Sequence, residues 1–242
     1  MALIEIRNLS KSFEDNHVLR GIDLDVEQGS TIVILGKSGT GKSVLLKIII
    51  GLISPDTGSI RIGNGEVVGM KRKELNELRH SMGYLFQGAA LYDSMSVREN
   101  LAFPLVRKEK LDGDELEARI VDQLRLVGLL DAIDKMPAEL SGGMKKRIGL
   151  ARALITNPRI MFYDEPTTGL DPITSREISY LMKSLQERYQ PTSIAVTHDM
   201  QCARIIADTA AILHDGLLDQ RGTIESLEQS QDPAVRSFFA TE

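Results

Sequence analysis

The chain has 242 residues, a length that suits one domain or a domain with an inserted subdomain. Hydrophobic residues account for 42% and charged residues for 26%, which is typical of a soluble globular protein, and the net charge of −5 at pH 7 argues against broad nucleic-acid binding. The single cysteine, Cys202, excludes an internal disulfide and fits a reducing cytoplasm. The first residues lack the pattern of a signal peptide, and no run of about 18 apolar residues occurs, so we expect any membrane role to come through partner subunits.

Two strands are predicted at the start of the chain, because residues 3–9 and 18–26 alternate apolar and polar side chains. Residues 14–16 are expected to form the turn between them. The next segment, residues 31–35, is continuously apolar and β-branched, which is typical of a strand buried on both faces. The sequence therefore predicts an antiparallel region followed by a strand inside a sheet.

A glycine-rich turn follows this buried strand and leads into an apolar helix at residues 44–50. A strand, a glycine-rich turn and a helix that begins at Gly-Lys-Ser together form the phosphate-binding P-loop motif. The glycines allow the backbone to approach phosphate closely, and successive N–H groups and the helix N-terminus supply positive potential. The alternative is a chance glycine-rich turn. The turn consists of Gly36, Lys37, Ser38, Gly39, Thr40, Gly41, Lys42 and Ser43.

Three side chains in this part of the chain have expected roles in binding a nucleotide. The Lys42 ammonium group can reach the β- and γ-phosphates, and the Ser43 hydroxyl can ligate Mg²⁺. Phe13 lies at the end of the first predicted strand, where its ring could either stack on adenine or pack in the core. The sequence leaves these two interpretations of Phe13 open.

After the P-loop helix, the pattern indicates a short strand at residues 59–62, a solvated basic helix that ends at Arg79, and a buried strand at 82–86 closed by Gln87. In the segment that follows Gln87 the sequence has no strand-like pattern, and apolar residues recur at helical spacing instead. We therefore predict a helical subdomain over about residues 88–150, inserted between strands of a sheet. We expect its prominent apolar residues to be divided between core and partner surface; they are Leu91, Tyr92, Met95, Leu101, Phe103 and Leu105.

The second half of the chain alternates helices with strands, which predicts a parallel α/β sheet. A hairpin is expected near the end of this region, around Asp215 and Gly216, and a short helical tail is expected after it. The predicted elements are helices at 144–154 and 178–185, strands at 160–163 and 193–196, and hairpin strands at 209–213 and 217–220.

Two carboxylates follow the buried strand at 160–163, where a P-loop protein needs an acidic partner for its metal. Asp164 ends the strand and is expected to hold the water shell of Mg²⁺. Because consecutive residues at a strand end point in different directions, Glu165 can face the γ-phosphate and orient an attacking water. The alternative is a pair of solvated acids in a loop.

Two further features suggest contact with phosphate. Ser141, Gly142 and Gly143 open a helix, and their N–H groups and hydroxyl can bind an anion there. Since the P-loop already holds one nucleotide, we expect this second anion-binding site to contact the nucleotide of another copy. The alternative is that Ser-Gly-Gly is only a common helix cap. His198 follows the strand at 193–196 and could either donate a hydrogen bond to the γ-phosphate or be structural.

Taken together, these residues resemble the ATP-binding subunits of ABC transporters, from residue 3 to about residue 222. P-loops alone also occur in kinases, GTPases and motors, whereas Leu-Ser-Gly-Gly just before Walker B is specific to ABC proteins. The motifs occur in the family's order. They are Phe13 for the adenine-stacking aromatic, 36–43 for Walker A, Gln87 for the Q-loop, 140–144 for the signature, 160–164 for Walker B, Glu165 for the catalytic carboxylate, 169–171 for the D-loop and His198 for the switch histidine.

The resemblance implies a P-loop NTPase fold, with a RecA-like parallel sheet core, an N-terminal antiparallel β region and the inserted helical subdomain. It implies an ATPase domain at 3–222 with a C-terminal helical extension at 223–242. It also implies hydrolysis of ATP with Mg²⁺, and Gln87 as a further metal ligand that couples nucleotide occupancy to a membrane-embedded subunit. A head-to-tail dimer is implied, in which the signature residues of one copy cover the ATP of the other and Asp171 communicates across the interface.

Met144 departs from the family pattern, because glutamine is usual at this position and its hydrogen bond is lost. Leu-Ser-Gly-Gly-Met, together with residues 86–97 and 103–105, resembles the MlaF branch, whose ATPases power phospholipid traffic between the inner and outer membranes. That branch implies three partners at the cytoplasmic face of the inner membrane: an MlaE-like permease, an MlaD-like MCE substrate-binding protein and an MlaB-like STAS-domain protein. An ABC transporter for another cargo and a soluble, non-transport ABC ATPase are the alternatives.

Overall fold

The computed structural model describes residues 2–239 and has an α/β fold. Its strands form where the sequence either alternates apolar and polar residues or is continuously apolar. In this range the strands are β1 (Ala2–Phe13), β2 (Asn16–Glu27), β3 (Thr31–Leu35), β4 (Thr57–Ile62), β5 (Gly65–Glu66), β6 (Met82–Leu85), β7 (Ile160–Asp164), β8 (Thr192–Thr197), β9 (Thr209–His214) and β10 (Leu217–Gly222).

Several helices begin after a residue whose side chain caps them. Ser96, for example, accepts a hydrogen bond from the backbone of Glu99, and the Glu99 side chain accepts one from the backbone of Ser96. Every helix within residues 2–239 is too short or too polar to cross a lipid bilayer. The helices are α1 (Lys42–Ile49), α2 (Arg72–His80), α3 (Val97–Pro104), α4 (Gly113–Leu126), α5 (Gly142–Leu154), α6 (Pro172–Tyr189), α7 (Met200–Ile206), α8 (Ile224–Glu228) and α9 (Pro233–Phe239).

The chain divides into two compact units, which we describe separately: the first unit contains the chain up to Arg79 and from Gln190 onward, and the second unit is His80–Tyr189. In the first unit, β3 pairs in parallel with both β8 and β9, and β10 pairs antiparallel with β9. All residues of β3 and β8 are buried, as the continuous apolar runs predict. The predicted hairpin around Asp215 is also confirmed.

The antiparallel sheet of the first unit has the order β2-β1-β4-β5, and its first two strands are longer than predicted. The alternation of buried residues in β1 breaks between Ile6 and Leu9, where the register shifts and Asn8 has a φ of 47°. Gly58 of β4 packs against this bulge, and a Cβ on Gly58 would lie 2.5 Å from the Asn8 carbonyl oxygen. A side chain at Gly58 would therefore separate the two strands.

In the second unit, β6 pairs in parallel with β7. Gly83 of β6 is tightly enclosed, because a Cβ there would lie 2.3 Å from the Met161 sulfur and 2.5 Å from the Ala153 carbonyl oxygen. The segment between β6 and β7 is helices and loops, as predicted. Helices α3, α4 and α5 contribute to one apolar cluster, the helical cluster. It consists of Val97, Leu101, Leu105, Ile120, Leu124, Val127, Ala132, Leu140, Ile148, Ala151 and Ile155.

The apolar residues singled out in this segment are divided between the interior and the surface, as predicted. Leu101 and Leu105 are fully buried, and Leu91 packs partly buried against the helical cluster. In contrast, Tyr92 is 45% exposed and its ring lies 5.1 Å from that of Phe103. The exposed aromatic ring is thus adjacent to α3 rather than inside the helical cluster.

Candidate functional site: a P-loop and a buried carboxylate pair

The P-loop in the first unit has the backbone that its glycines predict. The buried strand β3 ends at Leu35 and α1 begins at Lys42, with Gly39 at a φ of 83° and Gly41 at 99°. A Cβ on Gly41 would lie 2.6 Å from a Val18 methyl group, so both the backbone angle and the space require glycine. The turn therefore has the backbone conformation that a P-loop needs.

The Lys42 side chain is buried and folds back over its own loop. Its Nζ donates to the carbonyl oxygens of Gly36 at 2.7 Å and of Lys37 at 3.0 Å. The Thr40 hydroxyl donates to the same Lys37 carbonyl at 3.0 Å. These bonds hold the ammonium group against the loop whose N–H groups are expected to bind phosphate. Ser43 is the second residue of α1 and lies at its partly buried N-terminal turn.

Phe13 and His198 also belong to the first unit, and both have exposed side chains. Phe13 is 44% exposed, and the Lys11 Nζ lies 5.3 Å from its ring centroid, so the core interpretation of Phe13 is wrong. His198 directly follows β8. The next residue, Asp199, caps α7 by accepting a hydrogen bond from the Cys202 backbone at 3.0 Å.

The predicted carboxylate pair lies in the second unit, at the end of β7. Asp164 is 5% exposed and Glu165 is 7% exposed, so the alternative of two solvated acids is wrong. The Tyr84 hydroxyl, on the neighbouring strand β6, donates to Asp164 Oδ2 at 3.0 Å. Burial, together with the Asp164 charge, raises the pKa of Tyr84 well above its ordinary value, so the hydroxyl keeps its proton and acts as the donor.

Glu165 has an unusual backbone conformation. Its φ is 48°, in the left-handed region that costs a non-glycine residue on the order of 1–3 kcal/mol. The Thr168 hydroxyl donates to Glu165 Oε2 at 3.1 Å, and the Thr168 backbone N–H donates to the Glu165 carbonyl oxygen at 3.3 Å. Thr168 therefore orients the carboxylate as well as the backbone of Glu165.

Lys146, on α5, is a residue of this site that the sequence interpretation missed. It is buried, and its Nζ donates to the backbone carbonyl oxygens of Gln87 and, at 3.1 Å, of Glu165. Burial lowers the pKa of Lys146 to about 8, against the attraction of Asp164 and Glu165, which raises it. A signal was present in the sequence, because Lys146 is in helical phase with the buried residues at 150 and 154.

Asn100 and Arg152, also missed, hold the segment that follows Gln87. Asn100 is fully buried; its Oδ1 accepts from Tyr92 N at 2.9 Å and from the Arg152 guanidinium at 3.2 Å. Arg152 also donates to the carbonyl oxygens of Ala89 at 3.1 Å and Ala90 at 2.9 Å, two residues with left-handed backbones. Gln87 itself is exposed.

The signature residues form the start of α5. Ser141 is the N-cap, with its hydroxyl accepting from Met144 N at 3.3 Å, and Ser141 and Gly142 are exposed. Gly143 lies against α6, since a Cβ there would lie 2.6 Å from the Thr174 methyl group. Met144 packs partly buried against the helical cluster, which gives a physical reason for an apolar residue in place of the usual glutamine.

Asp171 has a local role at the start of α6. Its carboxylate accepts from Thr174 Oγ1 at 2.6 Å, from Thr174 N at 3.0 Å and from Ile173 N at 3.1 Å. These hydrogen bonds, above all that from the Thr174 side chain, lower the pKa of Asp171. Asp171 is therefore held in place by its own helix, with an exposed side chain.

This fold and these motifs define a P-loop NTPase. Residues 19–168 match the family model described as ABC transporter, and the chain belongs to the ABC transporter family. It therefore binds and hydrolyses ATP, as this family does. The α/β fold predicted from the sequence is confirmed.

Two curated relatives and one solved structure extend the comparison. The chain is 41% identical over 236 residues to the "Probable ribonucleotide transport ATP-binding protein mkl" of Mycobacterium leprae, covering 98% of this chain and 68% of that protein. It is 40% identical over 240 residues to the "Intermembrane phospholipid transport system ATP-binding protein MlaF" of Haemophilus influenzae, covering 99% of this chain and 91% of that protein. The resemblance to the MlaF branch is thereby confirmed.

The solved structure is a dimeric post-hydrolysis state of the ATP-binding cassette MJ0796 bound to ADP and Pi. Its TM-score is 0.84 at 31% identity, and the match covers 91% of this chain and 98% of that one.

Proposed function

We propose that this chain is the ATPase subunit of an ABC transporter that moves phospholipids between the inner and outer membranes. The observation that carries the proposal is the match to MlaF along 99% of this chain and 91% of that protein. A ribonucleotide transporter is the second candidate, because the mkl relative carries that name at similar identity.

ATP would be held by the P-loop, residues 36–43, with Lys42 on the β- and γ-phosphates and Phe13 against the adenine. The left-handed glycines and the buried Lys42 support phosphate binding, and the exposed ring of Phe13 supports stacking. His198 would donate a hydrogen bond to the γ-phosphate, for which its exposed position after β8 is suitable.

Mg²⁺ would be held by Ser43, Gln87 and Asp164. A hydroxyl, an amide and a carboxylate offer the hard oxygen ligands that Mg²⁺ prefers. The hydrogen bond from Tyr84 fixes the orientation of the Asp164 carboxylate, which fits a ligand. When bound, the ion neutralises charge on the β- and γ-phosphates.

Glu165 would orient the water that attacks the γ-phosphate. A general base needs a fixed position before its pKa matters, and Thr168 supplies that position through two hydrogen bonds. Lys42 would stabilise the charge that develops on the transferred phosphoryl group.

The chain would act as a head-to-tail dimer, in which Ser141, Gly142, Gly143 and Asp171 of one copy complete the ATP site of the other. The dimeric state of the MJ0796 cassette supports this arrangement. An MlaE-like permease, an MlaD-like MCE protein and an MlaB-like STAS-domain protein would complete the complex, at the cytoplasmic face of the inner membrane. The ATPase domain would span 3–222, with the helical subdomain at about 88–150 and the extension at 223–242, of which residues 240–242 lie outside the described range.

The catalytic part of the proposal is tested by Glu165→Gln. Turnover should fall by about 10²–10⁴, the usual contribution of a general base, while ATP affinity is kept. Glu187→Gln, at an exposed acid on α6, is the control and should hydrolyse ATP normally. A Glu165→Gln variant that works at the wild-type rate would exclude Glu165 as the base.

The cargo is tested by purifying the tagged chain from the membranes of its own host in mild detergent. Mass spectrometry should find an MCE-domain protein and bound phospholipid in the complex. A complex without either, whose ATPase rate responds to ribonucleotides, would favour the second candidate. A chain found wholly in the soluble fraction would support a non-transport ATPase.

A further inference from the structure

Lys146 is a buried cation that donates hydrogen bonds to backbone carbonyl groups. Its Nζ donates to the carbonyl oxygens of Gln87 and Glu165, and the residue is only 5% exposed. Burying an ammonium group is costly unless its N–H groups are satisfied. This lysine therefore depends on keeping both carbonyl groups within reach, and its hydrogen bonds to them are charge-assisted, hence stronger than neutral ones.

The carbonyl group of Glu165 belongs to a strained residue. A left-handed non-glycine backbone persists only where its surroundings hold it, and Glu165 has a φ of 48°. This carbonyl oxygen accepts hydrogen bonds from Thr168 N at 3.3 Å and from Lys146 Nζ at 3.1 Å. The hydrogen bond from Lys146 is the shorter of the two and involves a charged donor. It therefore restrains the Glu165 backbone more strongly than the bond from Thr168 does.

The carbonyl group of Gln87 belongs to the second segment that Lys146 holds. It begins the loop in which Ala89 and Ala90 have left-handed backbones, held further along by Arg152. Lys146 itself lies on the first turns of α5, which begins beside the cap residue Ser141. One ammonium group thus joins the signature helix, the Gln87 loop and the Glu165 backbone.

We propose that Lys146 is a positioning residue for ATP hydrolysis, which fixes the backbones of Gln87 and Glu165 relative to α5, the helix that Ser141 caps. The inference rests on the functions proposed above for Gln87 and Glu165. Its consequence is that the backbones of Glu165 and Gln87 keep a constant separation, and that a displacement of α5 moves both. Misplacement of a catalytic group by about 1 Å costs on the order of 10²-fold in rate, so this support affects turnover directly.

The test compares Lys146→Met with Lys145→Met in the full chain. Methionine keeps the length of the side chain and removes its donors, and Lys145 is the neighbouring lysine on the same helix. We expect Lys146→Met to lower kcat by about 10–100-fold with KM for ATP changed less than about threefold, and Lys145→Met to stay near wild type. In the Glu165→Gln background, adding Lys146→Met should lower the residual rate by less than it lowers the wild-type rate, because the part of its effect that acts through Glu165 is already lost.

A second readout does not depend on turnover. Hydrogen exchange of the unliganded chain reports the amides of Ala89 and Thr168, which donate to Phe86 O and Glu165 O. Lys146→Met should accelerate exchange at both amides, whereas Lys145→Met should not. If Lys146→Met does not fold, Lys146→Leu, which is shorter and also has no donor, takes its place with the same expectations.

Three results would overturn the proposal: wild-type kcat in the folded variant, unchanged exchange at both amides, or an equal loss of rate in the wild-type and the Glu165→Gln backgrounds. These are distinct from failure of the proposed function. A wild-type rate in Glu165→Gln removes Glu165 as the base, whatever Lys146→Met does to hydrogen exchange.

Discussion

Replacement of Asn100 by alanine should destabilise the segment that follows the proposed metal ligand Gln87. The fully buried Asn100 amide accepts hydrogen bonds from Tyr92 N and Arg152, and its two N–H groups are shared among the carbonyl oxygens of Tyr92, Met95 and Ser96 at 3.0–3.1 Å. Alanine therefore removes about four full hydrogen bonds. Each bond contributes a net value of about 1 kcal/mol, and water that enters the site replaces part of this loss. We therefore expect the free energy of unfolding to fall by about 3 kcal/mol.

Urea denaturation of Asn100→Ala measures this loss, and a thermal melt should show a fall of roughly 6–12 °C for a chain of this size. Hydrogen exchange should accelerate at the Tyr92 amide, which donates to the Asn100 side chain. Asn76→Ala is the matched control: Asn76 is exposed and accepts one hydrogen bond, from Arg79 at 3.2 Å, so its loss should stay below about 0.5 kcal/mol. A loss under about 1 kcal/mol in Asn100→Ala, with unchanged exchange at Tyr92, would refute the reasoning.

Three further predictions concern the nucleotide site and the core. Lys42→Ala should abolish the binding of labelled ATP in equilibrium dialysis, whereas Lys47→Ala on the same helix should not. If Lys42→Ala still binds ATP, the P-loop does not bind the nucleotide as proposed. Phe13→Ala should raise KM for ATP about 5–50-fold through lost stacking, and Phe13→Tyr should restore it; an unchanged KM in Phe13→Ala would exclude stacking. Gly83→Ala should lower the free energy of unfolding by about 1–3 kcal/mol in urea denaturation, because the new Cβ would lie 2.3 and 2.5 Å from its neighbours. Gly88→Ala, where the Cβ is in open space, is the control, and equal stability of the two variants would contradict the prediction.

Much of the fold and part of the site follow from patterns within contiguous stretches of the chain. The buried strands β3 and β7 are continuous apolar runs, the P-loop lies between a strand and a helix, and Ser141 precedes a helix that it caps. Each of these features depends on residues that are neighbours in sequence, because strand and helix periodicities and capping act over a few positions. The order of the motifs was then enough to indicate the ABC transporter family, to which the chain belongs.

Only the tertiary structure decided which polar side chains are buried and what they hold. Lys146 lies 59 positions from Gln87 and 19 from Glu165, and Arg152 lies 52 positions from Asn100. The sequence also left the position of Phe13 open, and the structure shows that its ring is exposed. A polar group is stable in the interior only where its partners meet it, and those partners come together only when separate elements pack, so no local pattern could identify them.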